Sequence, residues 1–292
     1  MKFRFIRDFA GRMSRVRLCQ AFGVSRSGLY AAMGRPESQR GRENRILAAR
    51  LQIIHAESHE TYGLPRVMAE LSDLGVHVNH KRVERLRRQN GLKARVRKRF
   101  KPTTNSKHDF PIAENVLDRN FEVAEANKVW AGDITYIPTR EGWLYLAVVL
   151  DLFSRKVVGW AMSRRIDAEL ALDALRMAFK LRKPEPGLLF HSDRGSVYAC
   201  YDYKDLLAEH LARPSMSRKG NCWDNAVSES FFSTLKGDWL DRFAFETRSD
   251  AEQQAFYFIE AFYNRRRRHS ALGYLSPVAF EAANEATILA VH

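Results

Sequence analysis

Three carboxylates and a lysine are the side chains of this sequence that could act together chemically. Asp133 lies inside VWAGDITYI (129–137), a run with strand character in which an aspartate is a poor fit. An unpaired charge there is costly to bury, so Asp133 is either a hydrogen-bonded core carboxylate or a functional one. Asp193 ends GLLFHSD (187–193), at the carboxyl edge of a strand where α/β sites gather. Its alternative role is to close an Asx-type turn before Gly195. Glu229 comes from SRKGNCWDNAVSESFFSTLK (217–236), which begins as a basic, Gly-broken loop and then turns helical. Asn225, Glu229, Phe232 and Lys236 recur there at helical spacing, roughly on one face. A Glu and a Lys two turns apart, near Trp223 and a basic loop, suit a carboxylate serving a phosphate-rich substrate; a solvated charge pair is the plainer reading.

Three converging carboxylates repel one another unless cations sit between them. Mg²⁺ matches an all-oxygen donor set because it is hard and combines carboxylates with substrate phosphates and waters, and Mn²⁺ is a possible substitute. Two such ions roughly 3.5–4 Å apart would support an in-line phosphoryl displacement, one activating the nucleophile and one stabilising the leaving oxygen. Asp151 also ends a strand and is read as structural or as support for the ligands.

The elements that must hold these residues begin near residue 125. Strands are expected at 129–137, 143–151 and 157–163, then a helix at 167–182, a strand at 187–193, a helix at 201–211 and a short strand at 212–217. The helix carrying Glu229 follows, and a long helix runs from about Ser249 to Arg266. That order predicts an α/β, ribonuclease-H-like fold: a mixed five-stranded sheet flanked by helices, with the first and fourth strands adjacent. Asp133 and Asp193 would then converge.

Upstream the character changes. The formal net charge is +14, and residues 1–110 hold 25 Lys/Arg against 9 Asp/Glu, whereas residues 111–292 hold 23 against 25. Such one-sided basicity is the footprint of polyanion binding, above all of nucleic acid. Residues 14–33 read as helix, turn, helix, with Leu18, Cys19 and Phe22 inward, Gly23 at the turn, and Ser25 capping a helix that carries Arg26, Ser27 and Tyr30. GRPESQRGR (34–42) reads as a linker. Residues 43–91 predict three short helices: Ile46, Leu47, Ile53 and Ile54 line the first, Val67, Met68 and Leu71 the second. Asn79 caps the third, with Val83 and Leu86 inward and Lys81, Arg82, Arg85, Arg87 and Arg88 outward. His55 and His59, at i, i+4 spacing with no third ligand in view, are read as ordinary histidines. KARVRKRFKPTTNSK (93–107) is a basic arm without apolar period. The small all-α helix-turn-helix modules are thus expected at 1–36 and 43–92, a basic linker at 93–124 and the catalytic core with a C-terminal helix at 125–285. No run approaches eighteen apolar residues, so no membrane span is expected. Cys19, Cys200 and Cys222 are scattered and odd in number, which suits a reducing cytoplasm.

The segments VWAGDITYI, LYLAVVLDLFSRKVVGW, HSDRG, SRKGNCWDNAVSESFFSTLK and FYNRRRRHSALGYLSP carry a resemblance that covers nearly the whole chain. They resemble the DDE transposases of bacterial insertion sequences, in the retroviral-integrase-like group whose catalytic product is called OrfB. The resemblance implies that Asp133, Asp193 and Glu229 are the metal-binding catalytic triad and that Lys236 contacts DNA near the scissile phosphate. It implies nicking at element ends to leave a 3′-hydroxyl, then strand transfer, joining of the element's ends into a circle and integration. The YNRRRRHS segment, with Asn264, Arg267 and His269, is similar to the family's C-terminal signature, and both a structural and a DNA-backbone role stay open.

The expected partners are DNA, as terminal inverted repeats and target, and a second copy of the chain, since two ends must meet; a dimer or higher oligomer on DNA in the bacterial cytoplasm, at the nucleoid, follows. Arg26 and Ser27 are candidates to read bases, and Lys81, Arg82, Arg85, Arg88, Arg95, Arg97, Lys98, Arg99, Arg218 and Lys219 to position phosphates. Two rival readings remain: an inactive sequence-specific DNA-binding regulator, and a simple metal-dependent nuclease of the same fold.

Overall fold

The computed structural model describes residues 2–11, 13–34, 36–95, 110–218 and 222–291. Two compact units emerge, Met1–Glu57 with Val78–Leu92, and Ser58–His77 with Lys93–His292. The helices, in chain order, are α1 (Lys2–Phe9), α2 (Arg15–Ala21), α3 (Arg26–Gly34), α4 (Gln39–Glu57), α5 (Leu64–Asp73), α6 (His80–Gln89), α7 (Ala168–Arg182), α8 (Ser196–Ala199), α9 (Tyr201–Glu209), α10 (Ala226–Thr234), α11 (Arg248–Phe256) and α12 (Pro277–Val291). The strands are β1 (Val129–Thr139), β2 (Gly142–Asp151), β3 (Val157–Ser163), β4 (Leu189–Ser192) and β5 (Arg213–Met216).

In the first unit, α1, α2 and α3 close on Ile6, Leu18, Cys19 and Leu29, with Phe22 and Val24 packed beside them. Gly23 makes the turn at φ +59°, a left-handed conformation that suits glycine. Ser25 Oγ accepts from Gly28 N at 3.0 Å and so caps α3. The stretch expected to be a linker is shorter than predicted, because Ser38 Oγ accepts from Gly41 N at 3.1 Å and α4 starts at once. On α4 the buried stripe is Leu47, Leu51 and Ile54, while Ile46 and Ile53 are exposed. Each Ile-Leu or Ile-Ile pair straddles the stripe's edge, and only its second member faces inward. Asn79 caps α6 by accepting from Lys81 N at 2.8 Å, and Val83 and Leu86 are buried.

The second unit is built on a five-stranded sheet in the order β3-β2-β1-β4-β5. β1 pairs antiparallel with β2 and parallel with β4; β2–β3 is antiparallel and β4–β5 parallel. This is the ribonuclease-H-like arrangement expected from the element order. Helices α7, α8 and α9 share one buried cluster with the sheet, centred on Trp130, Leu175, Phe190, Tyr198 and Tyr203. Gly159 lets α7 approach β3, since a Cβ there would meet the Ala174 carbonyl oxygen at 2.2 Å. On α10 and beyond, Phe231 meets Tyr263 edge-on at 4.8 Å and Trp239 stacks on Phe262 at 5.9 Å, so aromatic rings fasten α10 to the segment after α11.

Two long helices of the sequence reading are modified. The Glu229 helix widens into a π-helical turn, Leu235–Trp239, and the helix beginning with α11 widens likewise at Tyr257–Tyr263. α12 was not anticipated; it starts at Pro277, a favoured first position, with Ser276 Oγ accepting from Ala279 N at 3.3 Å.

Candidate active site

Parallel pairing of β1 with β4 sets Gly132 beside Ser192, so Asp133 and Asp193 each follow the last matched pair on neighbouring strands. Gly132 has no space for a side chain: a Cβ would stand 2.5 Å from Phe190 Cζ and 3.4 Å from Tyr198 Cε1. That tight aromatic packing fixes the two strands where the carboxylates leave them. Asp133 Oδ1 accepts from Ile134 N at 2.8 Å, and Asp193 Oδ1 accepts from Gly195 N at 2.9 Å. The Asx-type turn at Asp193 therefore exists, and it orients the carboxylate. Burial holds the Asp133 carboxyl well above the usual carboxylate range; the charge of Asp193 pushes in the same direction, and Glu229 adds a weaker push.

His191 and two serines stiffen the end of β4. Ser215 Oγ accepts from Val116 N at 3.0 Å and Leu117 N at 3.2 Å, so its own hydrogen goes to His191 Nδ1 at 2.9 Å. The ring proton then sits on Nε2 and is donated to Ser217 Oγ at 3.1 Å, whose hydroxyl reaches Ser192 O at 3.3 Å. The chain of donors is complete with a neutral imidazole. Burial lowers the His191 pKa to about 4.

Glu229 stands in the first turn of α10, half-buried, and burial raises its carboxyl. Lys236 lies on the π-helical turn, not on a continuous α-helical face with Asn225, Glu229 and Phe232 as the spacing predicted. Phe232 and Asn225 are buried. The wider turn re-aims Lys236 so that its Nζ sits 4.4 Å above the Tyr136 ring. Burial brings its pKa down to about 8, while the charges of Asp241 and Asp133 oppose that shift. Among the described residues no three His, Cys, Asp or Glu side chains are gathered into a set that could hold a metal ion. The site is an Asp133–Asp193 pair with Glu229 acting on it electrostatically. As donors these groups are all carboxylate oxygens, and a divalent cation would offset both the burial and the repulsion by Asp193 that raise Asp133, so the donor chemistry fits Mg²⁺.

Asp151, wholly buried, accepts from Asn127 N at 2.8 Å, Phe153 N at 2.9 Å and Arg182 Nη2 at 3.3 Å, which is a structural role. Arg26 and Ser27 are exposed at the start of α3, and Lys81, Arg85, Arg88 and Arg95 are exposed as well. Arg82 is engaged by Asn44 Oδ1 at 2.8 Å and Glu43 Oε2 at 3.1 Å. The Arg218 guanidinium is held by Asp224 and Asp118. Arg97, Lys98, Arg99 and Lys219 lie outside the described residues. Trp223 is 69% exposed.

The YNRRRRHS segment, whose role the sequence left open, is bound into the second unit. Asn264 pairs with both backbone groups of Val157 at 3.0 Å, and Arg267 Nη2 donates to Asp238 Oδ2 at 2.9 Å with both side chains buried. Arg268 bridges Glu70 (2.6 and 2.9 Å) and Asp73 (2.6 Å). Asp224 was also missed; its only signal in sequence is a carboxylate beside a helix start with an arginine six residues before it.

The sequence is similar to those of known proteins. Residues 123–222 and 211–277 each match an integrase core domain, and residues 42–100 match an HTH-like domain. The chain is 43% identical over 263 residues to the insertion element IS600 31 kDa protein of Shigella sonnei, covering 90% of this chain and 97% of that one. It is 41% identical over 291 residues to transposase InsF for insertion sequence IS3A of Escherichia coli K12, covering 97% and 99%. Among solved structures, the HTLV-2 integrase catalytic core domain in complex with magnesium aligns with TM-score 0.42 and 16% identity, over 53% of this chain and 97% of that one. No helix among the described residues is long and apolar enough to cross a membrane.

Proposed function

This chain belongs to the IS3 family of insertion-sequence transposases, and we propose that it nicks the ends of its element to expose 3′-hydroxyls and transfers those ends to a new phosphodiester. The observation that carries this reading is the carboxyl pair Asp133–Asp193, on neighbouring parallel strands, with Asp133 pushed up by burial and by its neighbour. Asp133, Asp193 and Glu229 would hold Mg²⁺, or Mn²⁺ in its place, and the bound ions would supply charge neutralisation at the reacting phosphate. The protein's own part is to orient. Ile134 N–H and Gly195 N–H each donate to one oxygen of Asp133 and Asp193, which fixes the orientation of the two carboxylates at the strand ends. Lys236, held over Tyr136, provides a cation for the phosphate beside the reacting bond.

Upstream, Arg26 and Ser27 would read bases, and the exposed Lys81, Arg85, Arg88 and Arg95 would hold phosphates, together with the basic arm that follows. Because two ends must be joined, the active form is a dimer or higher oligomer assembled on DNA, and the cytoplasm is its place of action. The test is a joining assay with a labelled duplex carrying the inverted repeat that flanks the gene, a target duplex and Mg²⁺. The wild-type chain should produce joined strands, and Asp133→Asn, Asp193→Asn and Glu229→Gln should abolish joining while still binding the ends. Hydrolysis without joining would point to a nuclease, and binding without either to a regulator.

A further inference from the structure

At the start of α10 a single carboxylate gathers an unusual number of donors. Asp224 has no solvent exposure. Its Oδ2 accepts from Arg218 N (2.9 Å), Arg218 Nε (2.9 Å) and Asn115 Nδ2 (3.0 Å), and its Oδ1 accepts from Arg218 Nη2 (2.8 Å) and Arg119 Nε (2.8 Å). These partners come from two places far apart in sequence. Arg218 follows β5 directly, whereas Asn115 and Arg119 belong to the segment that leads into β1. That segment is itself anchored, since Ser215 on β5 accepts from Val116 N and Leu117 N. Leu117 is buried with Ala131 of β1 and Leu152, and Val227 in the first turn of α10 packs against the same cluster.

We propose that Asp224, with Arg218 and Arg119, is a lock that positions the entrance of α10, and with it Glu229, against the strands bearing Asp133 and Asp193. The carboxylate is buried while the Arg218 and Arg119 side chains are 46% and 45% exposed, so the ion pairs add little net stability, but five hydrogen bonds onto one carboxylate fix its geometry sharply. Asp224 immediately precedes Asn225, the residue just before α10, and Glu229 lies in that helix's first turn, so tilt at the lock passes directly to the Glu229 carboxylate. Arg218 is thereby a positioning residue, and its guanidinium serves the fold of the site in place of a DNA phosphate. This inference rests on the reading of Glu229 as a catalytic carboxylate.

The two roles of Arg218 give opposite signatures in the full-length chain. Single-turnover joining, DNA affinity across a salt series and amide hydrogen exchange are measured for wild type, Arg218→Gln, Arg119→Gln, Arg218→Lys and Glu229→Gln. The lock predicts that Arg218→Gln and Arg119→Gln join about 10- to 100-fold more slowly, as a displacement of the order of 1 Å would cause. DNA affinity and its salt slope should stay at wild-type values, the amides of residues 226–231 should exchange faster, and Arg218→Lys should recover part of the rate. A DNA-contact role predicts weaker binding with a salt slope reduced by about one, and an unchanged rate for the bound complex; that result would overturn the lock. Wild-type joining by Arg218→Gln and Arg119→Gln, with Glu229→Gln inactive, would overturn the lock alone. Wild-type joining by Glu229→Gln would instead remove the reading beneath it.

Discussion

A histidine shut among arginines resists protonation, and His269 is such a residue. Its ring meets Tyr263 edge-on at 4.7 Å, and its Nε2 is buried without a partner among the described residues. Burial lowers its pKa well below the ordinary value, and the charges of Arg267, Arg66 and Arg155 add to the shift. The unfolded chain, with an ordinary histidine near pH 6.5, therefore binds a proton that the folded chain refuses. Stability should be fully present above that pH and fall as the pH drops below it, by up to about 1.4 kcal/mol per pH unit for one histidine. His191 contributes in the same direction down to its own value of about 4. His269→Phe keeps the aromatic contact with Tyr263 and removes the titration. Urea midpoints at pH 7.5 and pH 5.5 should then differ less than in wild type; an undiminished difference would mean that His269 takes no part.

At the scale of elements, the core of the sheet-bearing unit depends on how closely α7 lies on the sheet. Ala171, Ala174 and Ala178 are buried on α7, and Gly159 of β3 faces them with a backbone carbonyl 2.2 Å from where a Cβ would be. Gly159→Ala cannot be relieved by a side-chain rotation, because the obstruction is backbone, so α7 must lift. A loss of stability toward the upper end of roughly 1–3 kcal/mol is expected from chemical denaturation, and a variant as stable as wild type would show that the helix has slack. Small residues on α7 and a glycine in VVGWAMS were visible from the start, as were the strands, because β-branched and aromatic runs report local preference. The strand order followed from the succession of elements, which set Asp133 beside Asp193. The π-helical turns could not be read, since they exchange one local hydrogen-bond register for another under tertiary packing. Nor could the burial of Asn264 and Arg267 within YNRRRRHS: the sequence leaves a structural and a DNA-backbone role open there, and the carboxylate partners of Arg267 and Arg268, Asp238 and Glu70, lie 29 and 198 residues away.

On the scale of the whole molecule, the excess positive charge sits in the first 110 residues, but the division into units does not follow the charge. Residues 58–77, inside the stretch that reads as one helix-turn-helix domain, belong with the sheet-bearing unit. Their bonds to it are specific. Tyr62 Oη accepts from Arg268 N at 2.9 Å and donates to Arg266 O at 3.2 Å, Arg66 Nε donates to Arg268 O at 2.8 Å, and Glu70 and Asp73 receive the Arg268 guanidinium. The Arg268 side chain is only 11% exposed, so cutting away its acidic partners leaves a nearly buried charge. A fragment beginning at residue 93 should thus be less stable than one beginning at residue 58, although both contain the entire sheet. Breaking such a pair costs about 3 kcal/mol. For a chain of this size that corresponds to a thermal midpoint lower by about 10 °C. Arg268→Met in the longer fragment should reproduce part of that stability loss without the truncation, because it removes the same ion pairs while leaving Tyr62 and α5 in place. If the two fragments melt within about 2 °C of each other, the Arg268 bridges contribute nothing to holding residues 58–77 in place.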